Sequence, residues 1–290
     1  LIILTTATYG QSVGLVFSGG GAKCLAQIGV LKALEEHDIP IDYITGTSGG
    51  AIVGGLYASG YSVEDMIELF ASGIMESYLI TSQEPNLGYY SMEERQNANW
   101  YSFRFDFKPK FKYDIIHPSL IISNAIDFGI IQFFSQATTA CGGDFDSLMV
   151  KFRSVATSVN DNKPYYFRDG DLGLSIRASL AFPFVFEPVS YKGMVLLDGG
   201  MYDNFPYKIM VEDFNPDVII GCLVSDNFPP AKADDIISVV QNVFMQNMEL
   251  TMPENSVLIE PAVLDIGLLE FEKVHQLVDS GYNSCMEKMP

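Results

Sequence analysis

Two short apolar runs, each ending in a glycine-rich turn and each followed by a helical pattern, constrain this chain more than any other feature. Val13–Phe17 leads into Gly19-Gly20-Gly21, after which Leu25, Ile28, Leu31 and Leu34 line one face of a helix expected over 22–36. A second run at 41–45 leads into Gly46-Thr47-Ser48-Gly49-Gly50 and then a helix of small residues over 49–59, able to lie close on a sheet. Ser62 and Asp65 form a capping-box pair for the next helix, with Val63, Met66, Ile67 and Phe70 at helical spacing. Further strand-like runs fall at 152–158, 194–197, 218–224 and 257–260. Strands alternating with helices predict an α/β fold with a mostly parallel sheet covered on both faces. Ligands in such a sheet gather at the carboxyl ends of the strands, where both glycine turns lie.

Composition narrows the classes of function. Of the 290 residues, 48% are hydrophobic and 18% charged, which excludes a disordered chain. The 36 acidic residues outnumber the 17 Lys and Arg, a net charge of -19. Nucleic acid is thereby disfavoured as a partner, because its binding rests on cations that neutralise phosphates. Cys24, Cys141, Cys222 and Cys285 are widely spaced, so neither a zinc site nor a disulfide framework is indicated. No ligand cluster suggests calcium, and no metal or cofactor is expected. The run at 120–134 is interrupted by Ser123, Asn124 and Asp127, so no transmembrane helix is predicted. The apolar start fading into small residues resembles the tail of a signal peptide. We therefore expect a leader remnant over 1–12, one domain over 13–290, and export to a periplasmic, outer-membrane or surface location, with a cytoplasmic location as the alternative.

The first glycine turn follows a strand and opens a helix, where free backbone N–H groups favour an anion. It is not a Walker loop, since Lys23 follows Ala22 and precedes Cys24. A dinucleotide fingerprint fails at its third glycine, which is Cys24, yet Asp38 and Asp42 lie near the offset of a ribose-binding acid. A dinucleotide-binding oxidoreductase thus survives on this motif alone, as does a turn that binds nothing.

The second turn matches G-x-S-x-G between a strand and a helix, the setting of a nucleophile elbow. Ser48 would stand exposed at a helix N-terminus, where partial positive charge favours an anionic transition state. A plain helix cap is the bland alternative. Serine needs a base. His37, His117 and His275 are the histidines, and His275 follows Ser48 and Asp198 in the order of a Ser-Asp-His triad. Asp198-Gly199-Gly200 ends an apolar run and offers a carboxylate that could act on the serine directly; an ordinary turn aspartate is the alternative.

Several separated blocks coincide with one family. Gly19 to Lys23, Gly46 to Gly50, Phe152 to Thr157, Arg177 to Pro183, and Asp198-Gly199-Gly200 with Asn204 and Pro206 together resemble the patatin-like phospholipases, most closely bacterial members. The resemblance implies a three-layer α/β/α sandwich and a Ser48–Asp198 dyad without histidine. Amides of Gly19, Gly20 and Gly21 would hold the oxyanion, and the substrate would be a phospholipid or another lipid ester. Gly46, Gly49, Gly50, Gly199 and Gly200 would support the turns, and Lys23 would add positive potential. Cys24 stands where the family usually has glycine, and Gly49 where methionine or alanine is common. Some exported bacterial relatives continue into an outer-membrane barrel. A catalytically silent lipid-binding domain is the further alternative, since Cys24 alters the loop.

Between Tyr78 and Phe134 lie 13 aromatic residues, marking an insert or lid at about 78–134 that could wall an acyl chain. Within it Phe103, Phe105 and Phe107 alternate with Arg104, Asp106 and Lys108, followed by Lys110 and Lys112. This pattern predicts a half-buried strand, with 103–112 as a membrane-surface contact or a lysine-guarded edge.

Overall fold

The middle one of the five parallel strands is β1, Val13–Phe17, buried along its whole length. Its side chains alternate between the two faces. Val13, Leu15 and Phe17 enter the larger core, whereas Val16 enters a smaller one with Phe205, Met210, Ile219 and Leu223. Gly14 faces that smaller core, and a Cβ there would lie 2.5 Å from the Met210 sulfur. The computed structural model describes residues 10–74, 124–225, 239, 242–243, 250–263 and 265–289. Residues 1–9 of the leader expected over 1–12, residues 78–123 of the insert expected at about 78–134, with the strand expected at 103–112, and His117 lie outside the described residues.

Tyr43–Thr47 forms β2, Lys151–Ser158 forms β3, Val218–Cys222 forms β7 and Ser256–Ile259 forms β8. They pair in parallel in the order β3-β2-β1-β7-β8. Lys163–Phe167 (β4), Val189–Tyr191 (β5) and Met194–Asp198 (β6) add antiparallel pairs beside β3. The large core packs under α1 (Ala26–Glu36), α2 (Gly49–Ala58), α3 (Val63–Ala71), α4 (Asn124–Ala140), α5 (Leu172–Ser179) and α7 (Val274–Met286). On the other face α6, Tyr207–Asp213, covers the smaller core. The expected mostly parallel sheet between two layers is thus present. Among the described residues no helix is long and apolar enough to cross a membrane.

Boundaries differ from expectation for identifiable reasons. The helix expected from residue 22 begins as a 3-10 turn, Gly21–Leu25, because Gly21 adopts φ 58° and the Ala22 N–H donates to the Leu268 carbonyl. The strand expected at 41–45 starts at Tyr43, since Asp42 first accepts the Val13 N–H through its side chain. It then continues to Thr47, where Gly46 still pairs with Phe17. The capping box forms as expected: the Asp65 N–H donates to Ser62 Oγ at 3.1 Å and α3 follows.

The register on β3 is what creates a site. At residues 154–158 one edge of β3 is occupied by β4, so β2 and β6 must share the other. β2 arrives parallel and ends with Thr47 opposite Val155, while β6 arrives antiparallel and ends with Asp198 opposite Ala156. The two strands therefore meet nearly head to head, and the residues at which they turn away, Ser48 and Asp198, become neighbours.

Candidate active site

Ser48 sits in the left-handed region, φ 53° and ψ -125°, on the turn from β2 into α2. Such a conformation in a residue with a Cβ costs about 1–3 kcal/mol and persists only where the surroundings enforce it. Here the glycines enforce it by close approach. A Cβ on Gly46 would lie 2.5 Å from the Gly50 carbonyl oxygen, and one on Gly50 2.6 Å from that of Ser18. The Ser48 N–H donates to Ser179 Oγ at 2.8 Å, and Ser179 Oγ donates to the Val155 carbonyl at 2.5 Å. The elbow is thus lashed to β3 through Ser179, at the end of α5.

The serine hydroxyl donates to Asp198 Oδ2 at 2.7 Å. The other carboxylate oxygen, Oδ1, accepts the Gly200 N–H at 2.8 Å. Gly199 makes this approach feasible, since a Cβ there would overlap the Val155 carbonyl and lie 3.0 Å from Thr47 Cγ2. Asp198 has no exposed surface, and burial pushes its carboxyl up to about 6, partly offset by the Gly200 and Ser48 hydrogen bonds. It is a hydrogen-bonded carboxyl group whose proton affinity is raised toward neutrality. Ser48 keeps partial exposure, so a substrate can reach the hydroxyl.

Ser18 anchors the start of the glycine loop at four points. Its N–H donates to the Cys222 carbonyl, its carbonyl accepts from Cys24 Sγ at 3.3 Å and Gln27 Nε2 at 2.8 Å, and its hydroxyl accepts the Val224 N–H. The Gly19 N–H donates to the Asn204 carbonyl at 3.0 Å, and Asn204 Nδ2 donates to Ser225 Oγ at 2.8 Å. Gly19 is therefore committed as a donor to the protein itself, which corrects its expected place among the anion-facing amides. The N–H groups of Gly20 and Gly21 have no acceptor among the described residues. The loop lies against the elbow, because a Cβ on Gly19 would be 3.1 Å from Ser48 Cβ and one on Gly49 2.7 Å from the Gly21 carbonyl. Lys23, on the 3-10 turn, is half-buried and its ammonium is pushed down by desolvation.

The remaining candidates separate from this centre. His275 is exposed on α7 whereas Asp198 is fully buried and takes its hydrogen bonds from Ser48 and Gly200, so the Ser-Asp-His order assembles no triad among the described residues. Asp42 accepts the Val13 N–H at the amino end of β1, across the sheet from the glycine loop, and Asp38 follows the end of α1. Neither can reach a ribose near Gly19–Gly21, which removes the geometric basis of a dinucleotide site. No group of metal-ligating residues occurs among the described residues. No local pattern gives Ser18, Gln27 or Ser179 a role: Ser18 and Ser179 act through Val224 and Val155, far along the chain, and Gln27 through the carbonyl of Ser18 nine residues before it. Asn204 and Ser179 belong to blocks singled out above, and that was their one available signal.

Comparison with known proteins follows the same line. A family model described as patatin-like phospholipase matches residues 15–211. Lysophospholipase nte1 of Neurospora crassa is 26% identical over 311 residues, covering 96% of this chain and 18% of its own length. Lysophospholipase nte1 of Emericella nidulans is 29% identical over 235 residues, covering 78% of this chain and 13% of its own. The chain thus spans less than a fifth of these curated relatives. Among solved structures, VipD from Legionella pneumophila superposes with a TM-score of 0.52 at 14% identity, over 96% of this chain and 66% of that one, a likeness of fold alone.

Proposed function

The chain belongs to the patatin-like phospholipase family, and from that premise we propose that it hydrolyses carboxylic esters of lipids through an acyl-enzyme on Ser48, with Asp198 as the base. The observation that carries the reading is the 2.7 Å hydrogen bond from Ser48 Oγ to Asp198 Oδ2 at a strained elbow. As Oγ attacks the ester carbonyl, its proton passes to Oδ2. The oxyanion forms beside the N–H groups of Gly20 and Gly21, supported by the N-terminus of α2. Collapse expels the alcohol, which takes the proton from Asp198. Water then attacks the acyl-enzyme with Asp198 again as base, restoring Ser48.

Preorganisation supports turnover over a silent lipid-binding role. Ser18 and Asn204 hold the loop without using the Gly20 and Gly21 amides, and each such donor is worth about 3–4 kcal/mol in a transition state. Cys24 lies beneath the loop with its thiol on the Ser18 carbonyl, so its departure from glycine leaves those amides in place. The curated relatives above are lysophospholipases, which makes lysophospholipids and phospholipids the first substrates to try.

The test is hydrolysis of a panel of fatty-acid esters, lysophospholipids and phospholipids, with and without EDTA, alongside Ser48→Ala and Asp198→Asn. We expect EDTA-resistant turnover that both substitutions abolish, and labelling of the parent protein by a serine-reactive phosphonate. Turnover that persists in Ser48→Ala would overturn the assignment.

A further inference from the structure

Asp203, Asn204, Phe205 and Pro206 lie between the turn after Asp198 and α6 and form neither strand nor helix. Their main chain nevertheless holds every part of the proposed site. The Asp203 N–H donates to the Gly199 carbonyl at 2.9 Å, and the Asp203 carbonyl accepts from Thr47 Oγ1 at 2.8 Å. The Asn204 carbonyl accepts the Gly19 N–H, and the Pro206 carbonyl accepts from Thr45 Oγ1 at 3.0 Å. Gly199 follows the acid, Thr47 precedes the nucleophile, and Gly19 precedes the two glycines whose amides face the oxyanion. One short segment therefore sets the spacing of serine, acid and loop.

With no ladder or helix of its own, the segment keeps its place through its side chains. Phe205 is buried in the smaller core, and Asn204 Nδ2 donates to Ser225 Oγ. The remaining anchor is Asp203, whose Oδ2 accepts from the Tyr166 hydroxyl at 2.8 Å. Sheet register explains how β4 reaches it. Thr47, Val155 and Tyr166 stand opposite one another on β2, β3 and β4, so their side chains share one face. The outer two are two strand spacings apart, about 10 Å, beyond direct contact. Asp203 bridges them, with its carbonyl on Thr47 and its carboxylate on Tyr166. Burial pushes the Asp203 carboxyl up to about 6, and the Tyr166 hydrogen bond and Lys208 draw it back down. Burial and Asp203 push the Tyr166 phenol up, which keeps it a neutral donor. The pair is thus a charge-assisted hydrogen bond, stronger and more directional than a neutral one.

We propose that the hydrogen bond between Tyr166 and Asp203 is a latch on this segment, and that both are positioning residues for the reaction at Ser48. The inference rests on Ser48 and Asp198 being the nucleophile and base proposed above, and it adds to them the pair that holds them in register. Releasing the latch frees the Asp203 main chain, and with it the contacts to Thr47 and Gly199 on either side of the dyad. Ser48 Oγ and Asp198 Oδ2 can then drift apart while the fold, carried by the sheet, remains. A displacement of about 1 Å between reacting groups is enough to cost about a hundredfold in rate.

The test measures kcat and KM for p-nitrophenyl butyrate, with kcat expressed per serine titrated by a reactive phosphonate so that unfolded protein drops out. We expect Tyr166→Phe to lower kcat about tenfold or more while KM moves less than about threefold, since the latch acts through Ser48 and Asp198 rather than on the ester. Asp203→Ala should do the same. Asp203→Asn should keep at least about a third of the parent kcat, because its amide oxygen still accepts from Tyr166. Combining Tyr166→Phe with Asp203→Ala should cost no more than the larger single loss, as two partners in one bond require. Should Asp203→Ala fail to fold, Tyr166→Phe with Asp203→Asn replaces it and should match Tyr166→Phe alone. Parental kcat in Tyr166→Phe, an Asp203→Asn protein as impaired as Asp203→Ala, or losses that add in either combination would overturn the proposal. Turnover persisting in Ser48→Ala would sink the catalytic reading itself, whereas serine-dependent turnover indifferent to Tyr166→Phe would sink the latch alone.

Discussion

At the scale of single residues, Asp198 is asked to be both buried and charged. Its carboxyl is pushed up to about 6 by burial, against an ordinary 3.8. A folded value above the unfolded one means that stability from this group is fully present below about pH 4 and is lost as pH rises through 6. At about 1.36 kcal/mol per unit the loss amounts to about 3 kcal/mol. Activity runs the other way, since only the carboxylate can take the serine proton: kcat/KM should rise with pH through about 6 and then level. Asp198→Asn should therefore lose at least about a thousandfold in kcat yet melt a few degrees higher than the parent at pH 8, with little gain at pH 4. Calorimetric melting at both pH values checks this, and a melting point at pH 8 below the parent's would contradict it. Cys24 and Gly49 form a second instructive pair. A Cβ on Gly49 would lie 2.7 Å from Cys24 Sγ, so the two departures from the family pattern occupy one space between them. Gly49→Ala alone should crowd the elbow and reduce both stability and kcat. Cys24→Gly with Gly49→Ala should recover the part of the loss that the thiol causes, and no more, because the added Cβ would still lie 2.7 Å from the Gly21 carbonyl oxygen; that non-additivity is readable in a double-mutant cycle, and additive effects would show that the thiol and the glycine are independent.

At the scale of elements, what was legible and what was not divide along contact distance in the chain. β1, the elbow and α2 were readable because strand, glycine turn and helix follow one another within a few residues. Ser48 and Asp198 stood out in the same way, each at the end of an apolar run before paired glycines. β4 and β5 were not readable: Pro164 interrupts the first, and the second has three residues. Nor could any local pattern reveal that β6 meets β2 along one edge of β3, the register that turns two separate motifs into one site. The same applies to the Gly19 N–H, whose acceptor on Asn204 lies far along the chain. The crossing of α1 and α7 is a further case. A Cβ on Gly29 would overlap the Val278 carbonyl, and one on Gly281 would overlap that of Ala26. The two helices thus touch backbone to backbone through reciprocal glycines. Because neither backbone can yield as a side chain would, Gly281→Ala should cost about 3 kcal/mol or more in denaturant unfolding. A change under about 1 kcal/mol would mean that the helices can separate without loss.

At the scale of the whole molecule, the site opens at the carboxyl ends of β1, β2 and β7, while the protein carries a net charge of -19. An anionic lipid surface should repel such a molecule over the range that screening allows. That range is about 30 Å at 0.01 M salt and about 8 Å at 0.15 M. In the dilute case the field of the whole protein reaches the bilayer before the site does; in the concentrated case only groups near the point of contact are felt. Hydrolysis of anionic phospholipid vesicles should therefore increase severalfold from 0.01 to 0.15 M salt, with zwitterionic vesicles as a nearly salt-independent control. The run from Arg104 to Lys112 sets up the opposite outcome, because four cations accompany one acid there. If those cations met the bilayer first, added salt would slow the reaction on anionic vesicles. Replacing Lys108, Lys110 and Lys112 by Glu would then remove the salt effect. The sign of that dependence decides between the charge of the molecule and the charge of one segment, and the excess of acidic residues elsewhere makes acceleration by salt the expected result.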